Sequence, residues 1–379
     1  MNPLKIAIGV GGRFHADRLA NALSRFGHEL TLFTTLPKSR FVNGPAQELI
    51  DSYLFPEIVF RTLKFAHREF QGAEFKMRSF GKHFAESLIS TQKPFDVVIA
   101  WSSFGLEGFR KAPNSKKIVV RDSAHVELQV ETLKNEYQKL GYQFPDHSEV
   151  IKREKQEYEL ADFILVPSRF AKDSFVSRGV PEKKIKVIPL GVDTSLFQAT
   201  HSRNFQLPLR VINFGSLTLQ KGIHHLLATL DSFRSEELKL TLVGHLSPEI
   251  ETLLKHYPQV THRGAVPQSE LPQILKEQDV FVLPSLQDGF GMVVPQAMAS
   301  GLVPIVSSAA GASELIQNKQ NGFVIEPGSP EPIVKVLKEL ISSPSLVNQV
   351  ADKVKQTIPE LNWSKYESRI QQWMGELSS

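Results

Sequence analysis

The chain has 379 residues, 41% of them apolar and 22% charged, and carries a net charge of +4. That length exceeds what one hydrophobic core usually organises, so two domains are expected, and so small a charge is too weak to argue for nucleic acid, so no nucleic-acid partner is expected. The absence of cysteine excludes disulfides, thiolate metal sites and cysteine nucleophiles, and fits a reducing, cytoplasmic setting.

From the N-terminus, residues 4–10 (LKIAIGV) read as an apolar strand. No long apolar stretch follows Lys5, so the start is expected to be a strand rather than a signal peptide. Gly11-Gly12 turn the chain into a helix, Ala16–Phe26, with Leu19, Ala22 and Leu23 on one face; Gly27 stops it, and His28–Thr34 is the next strand. This is a βαβ unit. Residues 58–84 then mix Arg61, Lys64, Arg68, Lys76, Arg78 and Lys82 with Phe60, Phe65, Phe70, Phe75 and Phe80, a basic amphipathic stretch suited to peripheral contact with the inner membrane face or to an acidic acceptor.

Further short buried strands are expected at Phe95–Ala100, Lys117–Val120 and Phe163–Val166. The run Lys186–Leu190 followed by Gly191-Val192-Asp193 marks a change of domain, and 208–215 opens a second α/β half. There, strands at Leu238–Gly244, Thr261–Arg263, Val280–Leu283 and Val303–Ser307 alternate with helical patterns, and Trp363–Met374 reads as a last helix. No run reaches the roughly 18 apolar residues of a membrane span.

The most informative stretch is Asp279–Glu314. Its strand ends at Pro284-Ser285, and Gly289-Phe290-Gly291 leads into a helix over Met292–Ser300, with Pro295 in the first turn and Gly301 at the position after the C-cap. A helix N-terminus placed so favours an anion. Asp288 stands at the mouth, and Gln296 lies on the helix eight positions on. In Phe214–Gly222 (FGSLTLQKG) a strand ends at Gly215, and Lys221 follows a short loop.

These motifs resemble the donor site of family 4 glycosyltransferases, retaining nucleotide-sugar enzymes of the GT-B fold. The family pattern is Pro-Ser, Glu-Gly-Phe-Gly, a second Glu after seven residues, and Ala-Met-Ala-x-Gly. Here Pro284, Ser285, Gly289, Phe290, Gly291, Ala297, Met298, Ala299, Gly301, Gly311 and Glu314 fit, with Asp288 and Gln296 standing where the two Glu belong. An Arg expected after Gly215 is Ser216, whereas Lys221-Gly222 is present. The resemblance implies two Rossmann-like domains with parallel sheets facing a cleft, over 1–188 and 189–360, and a helix in 361–379 crossing back to the first.

It implies metal-independent, retaining transfer of a sugar from a nucleoside diphosphate sugar, with UDP favoured over GDP, to a hydroxyl of a glycan, lipid or small molecule. No cofactor is implied. Lys221 would clamp the diphosphate; Asp288 would bond a sugar hydroxyl; Gln296 would bond the ribose. Gly264 and Val266 would pair with the base, and Gly11, Gly12, Gly215, Ser216, Met292 and Val293 would line the donor. His125 would act at the reacting sugar carbon, with Arg13, Arg121 and Glu127 towards the acceptor. The exchange of Arg for Ser216 and of Glu for Gln296 removes one charge of each sign, so the two are expected to compensate if they share a pocket. No His-Glu-x-x-His, Asp-x-Asp or other metal-ligand spacing occurs. Two alternatives remain: a sugar-nucleotide epimerase or hydrolase of the same fold, and a non-catalytic glycosyltransferase-like subunit.

Overall fold

The computed structural model describes residues 3–41, 44–66, 69–91, 93–193, 196–197, 205–357 and 362–378. Seven strands build the first sheet: β1 (Lys5–Val10), β2 (Glu29–Thr34), β3 (Ile50–Ser52), β4 (Val97–Trp101), β5 (Lys116–Val120), β6 (Phe163–Val166) and β7 (Ile185–Val187). Six build the second: β8 (Leu209–Phe214), β9 (Leu238–Val243), β10 (Thr261–His262), β11 (Val280–Leu283), β12 (Val303–Ser307) and β13 (Phe323–Ile325). The orders are β3-β2-β1-β4-β5-β6-β7 and β10-β9-β8-β11-β12-β13, with parallel pairing throughout both sheets.

Helices cover both faces of such sheets, so the central strands bury every residue: all of β4, β11 and β12 are buried. That explains why they read as unbroken apolar runs. Strand order reverses between β1 and β4 and again between β8 and β11. Open parallel sheets bind ligands at the carboxyl ends of strands flanking such a reversal.

Arg68 of the basic stretch 58–84 lies outside the described residues, and most of the rest falls on two helices, Phe55–Phe65 and Glu69–Ile89. Phe80 enters the core, whereas Phe65 is 90%, Ile58 60% and Phe55 54% exposed. The side chain of Phe70 lies outside the described residues.

The last helix runs from Trp363 to Ser378 and lies against the helix Ala16–Arg25 of the first half. Tyr366, Ile370, Trp373 and Met374, spaced as one helical face, are buried there. Arg25 pairs with Glu367 at 3.0 Å and Lys186 with Glu376 at 3.0 Å. Full burial of each large apolar side chain stabilises by about 1.5–3 kcal/mol, so packing rather than these exposed ion pairs holds the helix down.

The two halves touch along a seam beside the cleft. Ser168 Oγ donates to the Gly289 carbonyl at 2.6 Å, and Ser123 Oγ donates to Gln287 Oε1 at 3.1 Å. Glu314 Oε1 accepts the backbone N–H groups of Arg169 and Phe170 at 2.6 and 3.1 Å, so the last residue of the sequence motif caps a helix of the other half. Gly289 is needed at this seam. A Cβ there would lie 2.2 Å from the Asp122 carbonyl oxygen and 2.5 Å from the Ser123 Cα, nearer than any side chain can sit.

Candidate functional site

The loops after β8 and β11 face those after β1 and β5 across a cavity of about 480 Å³. Phe14, His15 and Asp122 line it from the first half; Asn213, Ser216, Lys221, Asp288, Phe290 and Met292 line it from the second; Trp363 closes one side. A second cavity of about 340 Å³ adjoins it, sharing Phe214, Gly215, Ser216 and Val293, and extends between Gly244, His245, Ala265, Val266, Gln268 and Gln296. Each falls within the roughly 300–1,000 Å³ of small-molecule sites.

Lys221 is carried by backbone geometry. The loop before it is tied to the loop after β11 by Leu286 N–H donating to the Gln220 carbonyl at 2.9 Å. Gly222 follows at φ 69°, and a Cβ on it would stand 2.0 Å from the Pro284 carbonyl oxygen. Only glycine allows this approach, which sets the Lys221 ammonium directly against Asp288 Oδ2 in an ion pair. The side chains are 23% and 10% exposed, so the pair is shielded yet open to the cavity. An ammonium has three donors, and one carboxylate leaves the others for a ligand. Among the described residues lining the two cavities, Lys221 supplies the one lysine or arginine charge.

The helix after Gly289-Phe290-Gly291 runs over Val293–Ala299, starting one residue later than expected, with Gly301 at φ 74° beyond its C-cap. Its seven residues make two turns and a small dipole, so neutralisation of an anion falls to Lys221. Gln296 and Ser216 do line one cavity. The two positions whose charges cancel relative to the family pattern are therefore neighbours around a shared space. Gly264 adopts φ 64°, and its carbonyl accepts the Gly244 N–H at 2.7 Å, while Val266 lines the second cavity.

The first half differs from expectation. Gly11 is buried beneath the Phe104 ring, and its carbonyl accepts Thr35 Oγ1 at 3.0 Å; neither Gly11 nor Gly12 lines the cavity. The residues that do are the next in line, Phe14 and His15. Phe14 holds φ 44° without being glycine, is 59% exposed and stacks on Trp101 with centroids 6.3 Å apart. A bulky side chain in the left-handed region is a local strain of the kind found at ligand sites. His15 Nδ1 lies 3.5 Å from Asp122 Oδ2, which accepts a hydrogen bond from Trp101 Nε1 at 2.9 Å.

His125 is placed away from this cleft. It is buried against Tyr158 and Phe175, its Nδ1 accepts the Glu127 N–H at 3.2 Å, and it lines a separate cavity of about 380 Å³ with Glu127, Lys155 and Arg178. Burial lowers its pKa to about 4, with Arg121 and Arg178 adding to the effect and Glu127 and Glu154 opposing it. Arg121 is buried too. It pairs with Glu154 at 3.0 Å and donates to Ala124 O, Ser102 Oγ and Gln129 Oε1, the bonding of a scaffold residue. Glu127 pairs with Lys155 at 2.7 Å, and Arg13 with Asp17 at 2.9 Å; neither lines the cleft.

Asp122 lies in the loop after β5 between Arg121 and His125, the two residues the resemblance put at the site, but spacing cannot say which of the five side chains at 121–125 points inward. His15 carried one signal, its place at a helix start just past the first Gly-Gly turn. Trp363 carried none.

The family model described as Glycosyltransferase Family 4 matches residues 10–196, and that described as Glycosyl transferases group 1 matches residues 201–357. The MMP alpha-(1->4)-mannosyltransferase of Mycolicibacterium hassiacum is 30% identical over 203 residues, 51% of this chain and 48% of that protein. A GDP-mannose-dependent alpha-(1-6)-phosphatidylinositol monomannoside mannosyltransferase of Mycobacterium tuberculosis is 28% identical over 48% of this chain and 52% of its own. The chain thus spans about half the length of the curated relatives it matches. Among solved structures, sucrose-phosphate synthase from Thermosynechococcus elongatus superposes with a TM-score of 0.69 at 19% identity, covering 99% of both chains. Anabaena HepE, solved in complex with UDP and glucose, gives 0.69 at 14% identity over 98% of this chain and all of its own. Two Rossmann-like halves, a cleft at both switch points and matches to both halves of the family together place the chain in the family 4 glycosyltransferases of GT-B fold.

Proposed function

We propose that the protein transfers a sugar from a nucleoside diphosphate sugar to an acceptor hydroxyl, with retention at the anomeric carbon and without a metal ion in the reacting centre. The observation that carries this reading is Lys221 standing beside Asp288 in the larger of two adjoining cavities. The nucleoside occupies the smaller cavity, with its base along Gly264–Val266 and its ribose near Gln296. The diphosphate lies against Lys221, whose charge stabilises the leaving group. The sugar reaches Asp288 and meets the acceptor from the side of His15 and Asp122. Orientation in a closed, water-poor cleft supplies much of the rate.

The names of relatives divide on the donor: the mycobacterial protein is GDP-mannose-dependent, and the Anabaena protein was solved with UDP. The side chains of the smaller cavity favour neither base. A thermal-shift series with UDP, GDP, ADP and their sugar conjugates tests the reading. A base-selective rise in Tm identifies the donor; no rise with any nucleotide refutes catalysis in favour of a non-catalytic subunit. Freed or epimerised sugar from donor alone, at the turnover rate, favours the epimerase or hydrolase.

We also read the exposed Phe55, Ile58 and Phe65, with Arg61 among them, as a peripheral contact for an acidic lipid surface bearing the acceptor. Among the described residues no helix is long and apolar enough to cross a membrane.

A further inference from the structure

Outside the donor cleft, the seam between the halves gathers a cluster that the reaction does not use. Glu136, on the helix Val126–Lys139 of the first half, meets His224 and His225, at the start of the helix Ile223–Thr229 of the second. Glu136 Oε1 lies 2.9 Å from His224 Nε2 and 3.4 Å from His225 Nε2, and the potential ligand atoms of all three fall within 4.8 Å of one another. The three residues are buried. None lines either cavity of the cleft.

Hydrogen bonding accounts for only part of this cluster, the contact of His224 Nε2 with Glu136 Oε1. His225 Nε2 is buried with no hydrogen-bond partner, as is His224 Nδ1. A buried polar atom left unpaired costs about 1–3 kcal/mol, and here two lie side by side, on rings whose centroids are 3.9 Å apart. Lys139 takes the other oxygen of Glu136 at 3.1 Å, leaving Oε1 turned to the imidazoles. Two imidazoles and one carboxylate form a common zinc ligand set. Tetrahedral bonds of about 2.0–2.1 Å give ligand-to-ligand edges of roughly 3.3–3.4 Å, near the two carboxylate-to-imidazole distances already present.

We propose that Glu136, His224 and His225 form a binding site for a zinc-class divalent cation that fastens the two halves together. Nitrogen-rich ligation selects zinc, cobalt or nickel over magnesium and calcium, which prefer oxygen. The site's position gives it a consequence for the cleft. His224 is three residues beyond Lys221, and Gly222 opens the helix that carries both histidines. A cation bridging that helix to the first half fixes the Lys221 loop against the opposite wall. Glu136 and His224 are 88 residues apart in sequence, so no local spacing announces the site.

The test uses the untagged full chain, stripped of metal and titrated with Zn2+ by calorimetry and with Co2+ by visible absorption, with Mg2+ as the control. One-to-one Zn2+ binding, a tetrahedral Co2+ spectrum and no response to Mg2+ are expected. Glu136→Gln keeps shape and fold, and His225→Ala removes a ligand. Each should weaken Zn2+ binding by at least about 10-fold, the lower end of what loss of even an outer-sphere partner costs a metal site. Absence of saturable one-to-one binding, or equal affinity in Glu136→Gln with native circular dichroism, overturns the proposal. Because binding of the cation is read directly, failure here is distinct from failure of the donor reading.

Discussion

Replacing Lys221 by Ala separates a donor site from an incidental ion pair. The Lys221 ammonium already holds Asp288 and has donors left over. Hydrogen bonds to charged groups contribute about 1.5–3 kcal/mol, and every 1.4 kcal/mol is about tenfold in affinity. Loss of the ammonium should therefore weaken nucleoside diphosphate binding by about 10- to 150-fold. The actual loss should tend to the upper end, because Asp288, whose side chain is 10% exposed, is then left unpaired and facing the incoming diphosphate. Asp288→Asn should behave differently. It frees the ammonium, so UDP or GDP alone should bind as well as before or better, while the extra affinity of the sugar nucleotide over the bare nucleotide is lost. Calorimetry on both variants, with native circular dichroism as the fold control, reads each outcome. Unchanged nucleotide affinity in Lys221→Ala removes Lys221 from the site. Equal loss in both variants refutes the division of roles, leaving the pair as one structural unit.

Three further outcomes are expected. Because Ser216 and Gln296 line one cavity, Ser216→Arg combined with Gln296→Glu should show a coupling of about 0.5–3 kcal/mol in donor affinity; simple additivity disproves compensation. The pKa of His125 is depressed to about 4, below its unfolded value, so its contribution to stability is complete above about pH 6.5 and is lost as pH falls towards 4. That loss is at most about 3 kcal/mol: urea midpoints between pH 7.5 and 4.5 should fall more steeply in the wild type than in His125→Gln, and parallel curves refute it. Finally, Ile58→Ser with Phe65→Ser should cut co-sedimentation with phosphatidylglycerol vesicles by at least about 10-fold, each buried side chain being worth about 1.5–3 kcal/mol. Equal sedimentation of variant and wild type, or none by the wild type, rules the patch out as a lipid contact.

The sequence by itself determined the two parallel sheets. Strands β4, β11 and β12 are buried on both faces, which forces apolar runs that no surface element shows, and their glycine-marked ends are local backbone requirements. The second half of the cleft was legible for the same reason: Gly215, Lys221, Gly222, Asp288 and Gly289-Phe290-Gly291 sit in short loops whose backbone geometry dictates residue type. Short edge strands left little trace, since β3 is three residues of which two are polar. Tertiary structure alone decided the first half's contribution. Gly11 faces Phe104 rather than the cleft, His125 is turned into a separate pocket, and His15 and Asp122 take the inward places. Side-chain direction in a loop depends on what packs behind it, and here that is Trp101, Tyr158 and Phe175 from distant segments. The seam, with Glu136 against His224 and His225, is likewise created by the approach of the two halves, which no local pattern in either one encodes.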